Sequence, residues 1–159
     1  MSLRAWLEDD PARWDAFVEA APYRSFSQLW EWGELRREGG WIPLRLAVGD
    51  AETGDRILAG AQLMMRRVPL FGTALAYAPR GPVGALDEDA AWSELVAALR
   101  RLAIAERVAT IRIEPEAATS SPVGQRLQAR FWRRAPANQP TKTRIVDLAR
   151  SELGAGTPA

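Results

Sequence analysis

The sequence predicts a layered α/β (α+β) fold: a mixed, mainly antiparallel sheet flanked by helices. Three observations predict it. Period-two apolar runs and 3.6-period apolar stripes interleave along the 159 residues in the order β-α-α-β-β-β-α-β-α-β. Three of the strands follow one another through short loops, which demands antiparallel pairing. One of these, "RILAGAQLMMRRV", is apolar on both faces, Leu63 and Met65 on one and Leu58 and Met64 on the other, as expected of a central strand covered twice.

Each element has a local reason. "SLRAWLE" alternates Leu3, Ala5 and Leu7 against Arg4 and Trp6 and reads as a short first strand. Asp10-Pro11 opens a helix, with Trp14, Phe17 and Val18 at i, i+3 and i+4 and Ala21-Pro22 ending it. Ser25 or Ser27 is placed to cap a second helix, "QLWEWGELRREGG", which Gly39-Gly40 terminates. "WIPLRLAV" sets Leu44, Leu46 and Val48 on one strand face, and "TALAYA" is a strand after Pro69. "DEDAAWSELVAALRRLAIAER" is the clearest helix, its stripe formed by Trp92, Leu95, Val96, Leu99, Leu102 and Ala103. "ATIRIEPE" puts Ile111 and Ile113 toward the core, Ser121-Pro122 starts a helix with Val123, Leu127 and Phe131, and "TKTRIVDL" is the last strand. Residues 1–150 read as one domain and 151–159, "GAGTPA" included, as a disordered tail.

Composition narrows the chemistry. Hydrophobic residues make up 47% and charged residues 26%, a globular mix. With no cysteine, disulfides and thiolate catalysis are excluded. With no histidine, the commonest general base and zinc ligand are missing, and no clustered Asp/Glu spacing suggests an oxygen-ligated metal. The net charge of +1 gives little whole-molecule steering toward nucleic acid. The segment "MSLRAWLEDDPARW" lacks a signal-peptide pattern and no apolar run reaches membrane-spanning length, so a cytoplasmic protein without an integral membrane segment is expected.

The element order resembles that of GCN5-related N-acyltransferases. The acetyl-CoA signature of that fold is a glycine-rich loop whose amides hold a pyrophosphate at a helix N-terminus. Here "YAPRGPVGALDEDA" offers Gly81 and Gly84, a proline without an N–H, and acids at the helix start, which disfavours CoA. Four blocks, "FSQLWEWGELR", "AGAQLMMRRVPLFGTALAYAPRGPV", "IRIEP" and "NQPTKTRIVDL", instead resemble the FemABX family in sequence and order, over about residues 14–148. That resemblance implies transfer of amino acids from aminoacyl-tRNA to the peptide of a peptidoglycan precursor, in interpeptide-bridge and cell-wall biogenesis. It also implies two acyltransferase-like halves, of which this chain matches the first. No cofactor is implied, because aminoacyl-tRNA is the donor substrate.

The resemblance also implies site residues. Gln28, Trp32 and Arg36 match the family's second-helix pattern, at spacings that would share one helix face. The basic residue there is implicated in holding the precursor's phosphate, and Arg36 stands where better-known members carry Lys. Tyr77, Arg80 and Gly81 match the Tyr-x-Pro-Arg-Gly-Pro block, which breaks a strand either so that backbone and guanidinium can line a cleft or as a rigid turn whose Arg80 pairs with a carboxylate. In many members an acid follows Gly-Pro-Val by two positions. Here that place is Ala85, and the nearest acid is Asp87. Gln139, Pro140 and Thr141 match the block before the last strand, Gln139 as a possible ligand contact. Glu114 and Glu116 are candidate acids or bases. The arginine pairs at 66/67, 100/101 and 133/134 read as solvated faces unless the fold brings them together.

The expected partners are therefore a UDP- or lipid-linked muropeptide and aminoacyl-tRNA. A second acyltransferase-like half is also expected, as a separate chain or as a second copy docked on an exposed apolar face. Two alternatives stand beside this reading: a CoA-dependent N-acyltransferase, and a truncated, non-catalytic binding module.

Overall fold

The computed structural model describes residues 2–140, apart from 23, 53, 55 and 129–131. Its elements are β1 (Leu3–Leu7), α1 (Pro11–Ala20), a 3-10 turn (Phe26–Gln28), α2 (Trp30–Arg37), β2 (Ile42–Asp50), β3 (Ile57–Val68), β4 (Thr73–Ala78), β5 (Val83–Gly84), α3 (Asp89–Ala105), β6 (Val108–Ile113) and α4 (Pro122–Leu127). The strands form one sheet in the order β1-β2-β3-β4-β6, with β5 also paired to β3. All pairs are antiparallel except β4 with β6, which α3 joins as a parallel crossover.

The layering follows from β2 and β3. On one face Leu46, Val48, Ala59, Ala61, Leu63, Ala76 and Ala78 pack against Leu95, Ala98 and Leu99 of α3. On the other, Ala47, Ile57 and Val83 pack under Trp14 and Val18 of α1. Residues 57–65 of β3 are buried throughout, as a doubly covered strand requires. Asp10 caps α1, its carboxylate accepting from the N–H groups of Ala12 and Arg13 at 2.9 and 3.1 Å. Ser121 caps α4 in the same way through the Gly124 N–H at 3.1 Å.

Several expectations are corrected. Neither Ser25 nor Ser27 caps α2. The helix begins at Trp30, whose N–H donates to the Asp15 carboxylate of α1 at 2.7 Å, while Ser27 Oγ donates to the Pro79 carbonyl at 2.9 Å. Gln28 therefore lies in the 3-10 turn, and it shares no helix face with Trp32 and Arg36. In β1, Leu7 is half exposed, because the end of the strand runs past the cover of α3. In α3, Ala91 and Ala98 are buried and Val96 and Ala103 only partly so, because close approach to the sheet favours the small side chains. The expected last strand at 141–148 (Thr141 included), Phe131 of the final helical stripe and the tail all lie outside the described residues.

Beneath α2 sits a buried polar network that composition does not advertise. Arg45, 3% exposed, donates through Nε to Gln62 Oε1 at 2.8 Å, and through Nη2 to the Trp30 carbonyl at 2.9 Å and to Glu34 at 2.8 Å. Gln62 Nε2 donates to the carbonyls of Ser27 and Leu29, at 3.2 and 2.8 Å. Gly33 makes room, since a Cβ there would come within 2.6 Å of Arg45 Nη2. Gln62→Leu orphans the Arg45 Nε–H and two carbonyls, so it is expected to lower unfolding stability by about 2–4 kcal/mol. A urea midpoint unchanged from wild type would contradict this.

Candidate functional site

Tyr77 to Val83 takes six residue steps where the facing stretch of β3, Met64 to Gly60, takes four. The two extra residues form a kink at Pro79-Arg80-Gly81-Pro82 between β4 and β5. Arg80 sits there at φ 53°, and the Gly81–Pro82 peptide is cis. A non-glycine residue at positive φ costs on the order of 1 kcal/mol or more, so the surroundings must hold it.

Gln28 is what holds it. Fully buried, it donates from Nε2 to the carbonyls of Pro79 and Gln62, at 2.7 and 3.3 Å, and its Oε1 accepts the Gln62 N–H at 2.8 Å. The carboxamide lies directly under Gly81, where a Cβ would come within 2.6 Å of it. Glycine is thus required here for space. From the other side, the Glu114 N–H donates to the Gly81 carbonyl at 2.9 Å and ties the kink to the end of β6.

Above the kink the side chains form one cluster. Tyr77 OH donates to Glu114 Oε2 at 2.5 Å and accepts from Gln139 Nε2 at 3.2 Å. Glu114 Oε1 accepts from Arg112 Nη2 at 3.0 Å and from the Asn138 N–H at 2.7 Å. Arg80 donates from Nη2 to the Pro140 carbonyl at 2.8 Å and pairs through Nε with Glu116 at 3.3 Å. The structure thus brings Tyr77, Arg80, Gly81 and Gln139 together and sets Gln28 beneath them. Arg36 stands apart. It is exposed on α2 over the Trp32 ring, 5.7 Å from its centroid, and no contact among the described residues joins it to the cluster.

Sequence reasoning missed Arg112, Asn138 and the buried pair Arg45 and Gln62. Arg45 and Gln62 did carry a signal: each is the lone polar residue in an apolar strand run. Arg112 carried one too, since its neighbours Ile111 and Ile113 face the core and send it to the opposite face.

The cluster's protonation states follow from its bonds. Burial pushes the Tyr77 phenol up, the Glu114 carboxylate adds to this, and Gln139 opposes it; the result is about 12. Burial also works to raise Glu114. Hydrogen bonds from Tyr77, the Asn138 amide and Arg112, with the charge of Arg112, outweigh it and hold the carboxyl below its ordinary value. At neutral pH the phenol therefore keeps its proton and the carboxylate stays ionised. The pair is suited to holding polar groups in place and poorly suited to abstracting a proton.

The glycine-bearing loop before α3 is already self-satisfied. The N–H groups of Ala85, Leu86 and Glu88 donate to the carbonyls of Leu58, Gly84 and Ala85, at 2.8, 2.8 and 3.2 Å. With Asp87, Glu88 and Asp89 around the helix start, it makes a poor cradle for a pyrophosphate.

The layered sheet is the fold found in acetyltransferases of known structure. An aminoglycoside acetyltransferase from a soil metagenome shows it, superposing with a TM-score of 0.58 over 92% of this chain and all of its own length; at 12% identity the likeness concerns fold alone. The FemAB family matches residues 10–131, and the chain belongs to that family. A crystal structure of FemX superposes with a TM-score of 0.69 at 28% identity, over 80% of this chain and 31% of FemX. Lipid II:glycine glycyltransferase from Staphylococcus haemolyticus is 36% identical over 102 residues, 64% of this chain and 24% of that protein. The Staphylococcus aureus (strain NCTC 8325 / PS 47) protein of the same name is 34% identical over 103 residues, with the same shares. The chain thus spans about a quarter of the length of the curated relatives it matches. Among the described residues no helix is long and apolar enough to cross a membrane.

With Tyr23→Phe, Tyr77 is the one remaining tyrosine. Its ultraviolet titration is expected near 12 and should move down in Glu114→Gln, which removes one of the causes but leaves the burial. A folded pKa above the unfolded one makes the Tyr77 contribution to stability complete below about 10 and lost as pH rises through about 12. Glu114, held low, has the opposite sign: its contribution is complete above about 4.5 and is lost as pH falls through its folded value. An acid limb of the urea midpoint that Glu114→Gln leaves unaltered would contradict this assignment.

Proposed function

We propose that this chain binds a peptidoglycan precursor at the kink and takes part in tRNA-dependent addition of amino acids to the precursor's peptide. The observation that carries the reading is the kink itself in a FemAB-family chain: Arg80 and Tyr77 are set at a strand break and fixed from below by Gln28. The Arg80 N–H groups not taken by Glu116 and the Pro140 carbonyl suit the carboxylate and amide oxygens of a stem peptide. The relatives' name, lipid II:glycine glycyltransferase, supports a lipid-linked muropeptide as acceptor. A nucleotide-linked muropeptide as an alternative acceptor and aminoacyl-tRNA as donor are our own extension of that reading.

The chemistry asks for no nucleophilic side chain. The precursor's free amine attacks the aminoacyl ester carbonyl, the C–N bond forms, and the tRNA 3′-terminal ribose oxygen leaves and takes up a proton. The ester is already activated, so placing amine and carbonyl in contact supplies much of the acceleration. Tyr77, Arg80 and Gln139 line the acceptor's wall, Arg36 contacts its phosphate, and no cofactor takes part. A second acyltransferase-like half completes the donor side, in a longer polypeptide, a separate chain or a second copy. The reaction is placed in the cytoplasm, where charged tRNA is available.

A CoA-dependent reading competes, and the occupied amides before α3 weigh against it. A thermal-shift comparison on the full chain tests both. A UDP-linked muropeptide is expected to raise Tm and acetyl-CoA to leave it unchanged. Incubation with charged tRNA, a muropeptide and the second half should then add the mass of one amino-acid residue. Stabilisation by acetyl-CoA alone would overturn the proposal.

A further inference from the structure

The turn between β3 and β4 sends its largest side chains into solvent. Leu70 is fully exposed and Phe71 is 77% exposed, two large apolar residues in succession at the tip of a hairpin. Leu70 also sits at φ 72°, a conformation that favours glycine or asparagine over leucine. Exposure and backbone both count against an apolar residue here, so folding gives no reason for it. Hydrogen bonds bring a third apolar residue to the same end. The Arg107 carbonyl accepts from the Ala74 N–H at 2.9 Å and from Thr73 Oγ1 at 2.8 Å, and the Arg107 N–H donates to the Ile104 carbonyl at 3.3 Å. Arg67 adds its bonds to Glu106, at 2.6 and 2.7 Å. The end of α3 is thus tied to the base of the hairpin, and Ile104 is exposed there.

The charge at this end is positive. Residues 56–86, which include the whole hairpin, contain arginines and no acid. Arg66 and Arg107 are exposed near the base of the tip and have no salt bridge among the described residues, while Arg67 is matched by Glu106. A projecting apolar tip with cations behind it fits an anionic bilayer surface. The apolar side chains enter the acyl boundary, and the guanidiniums stay among the headgroup phosphates. A protein partner fits less well, because an ordinary interface buries about 800 Å² per side across a broad patch and a convex two-residue tip offers a small part of that. The fourth strand also links the tip to the kink. Thr73, Leu75 and Tyr77 alternate onto one sheet face, opposite α3, with Leu75 half exposed. Tyr77 stands four residues, about 13 Å, from Thr73.

We propose that the tip between β3 and β4 is a membrane-docking element: Leu70 and Phe71 enter the surface of an anionic phospholipid bilayer, and Arg66 and Arg107 bind its headgroups. The chain then lies on the membrane without crossing it, with the Tyr77 cluster close to the plane in which a lipid-linked acceptor is held. This goes beyond precursor binding and is tested without any precursor.

Co-sedimentation of the full chain with vesicles decides it, one set of phosphatidylglycerol and phosphatidylcholine in equal parts and one of phosphatidylcholine alone. The chain is expected to bind the anionic set and to bind the neutral set about tenfold or more weakly. Leu70→Asn/Phe71→Ser should lower affinity for the anionic set by about tenfold or more, with Tm equal to or above wild type, and Arg66→Gln/Arg107→Gln should lower it by a similar factor. The chain has no cysteine, so Phe71→Cys and Ser93→Cys each give a single site for an environment-sensitive fluorophore. The probe at 71 should shift to the blue on addition of anionic vesicles, and the probe at 93, exposed near the start of α3, should not. No binding to anionic vesicles, wild-type binding by Leu70→Asn/Phe71→Ser, or a probe at 71 that stays in water overturns the proposal. So does self-association, seen by sedimentation velocity without vesicles, that Leu70→Asn/Phe71→Ser abolishes, because the tip then meets a second copy. The precursor reading is independent: it fails if the chain binds no muropeptide, whatever the vesicles show.

Discussion

The strand break at residues 79–82 depends on one buried carboxamide. Gln28 bonds the Pro79 carbonyl and both main-chain polar groups of Gln62, at 2.7, 3.3 and 2.8 Å, and so locks the 3-10 turn, the central strand and the kink to one another. Burying a carboxamide costs several kcal/mol unless its hydrogen bonds are made, and here both its nitrogen and its oxygen are used. Trp14 reinforces the lock by donating its indole N–H to the Gln28 carbonyl at 2.7 Å. The positive φ of Arg80 is tolerable because this network fixes the backbone on both sides of it.

A second consequence is that α2 and the kink cannot move independently. Arg45 and Gln62 carry the connection from the Glu34 carboxylate and the Trp30 carbonyl down to the 3-10 turn, whose Gln28 reaches the Pro79 carbonyl. The backbone segments that carry Arg36 and Arg80 are therefore tied to one frame, although no contact among the described residues joins the two side chains. Such a frame suits an acyl transfer that relies on placement. The chain has no thiol or imidazole, and the Tyr77–Glu114 pair keeps its proton on the phenol at neutral pH.

The layers were largely legible in the sequence, since period-two and 3.6-period patterns report which face is buried. Leu44, Leu46 and Val48 lie on the α3 side as the alternation requires, and Asp10-Pro11 and Ser121-Pro122 open their helices through ordinary capping. The start of α2 was not legible, because its first amide is satisfied by Asp15 from a different helix and no local cap marks the boundary. The strand break at residues 79–82 was visible in its prolines and glycine, whereas the Gln28 carboxamide beneath it was not. Spacing placed Gln28 on a helix face, and only tertiary packing turns it inward. Arg66 and Arg67 look alike as text and differ in three dimensions, Arg67 paired with Glu106 and Arg66 lying over the Trp41 indole.

The account's central claim is that Gln28 holds the kink in the shape that binds precursor. The most direct measurement is the affinity of Gln28→Met for a UDP-linked muropeptide, taken well below its own unfolding temperature with the secondary structure verified by circular dichroism. The account predicts a folded protein whose affinity has dropped by about tenfold or more, because the Pro79 carbonyl and Gly81 are no longer positioned. A folded Gln28→Met that binds the muropeptide as tightly as wild type would contradict it.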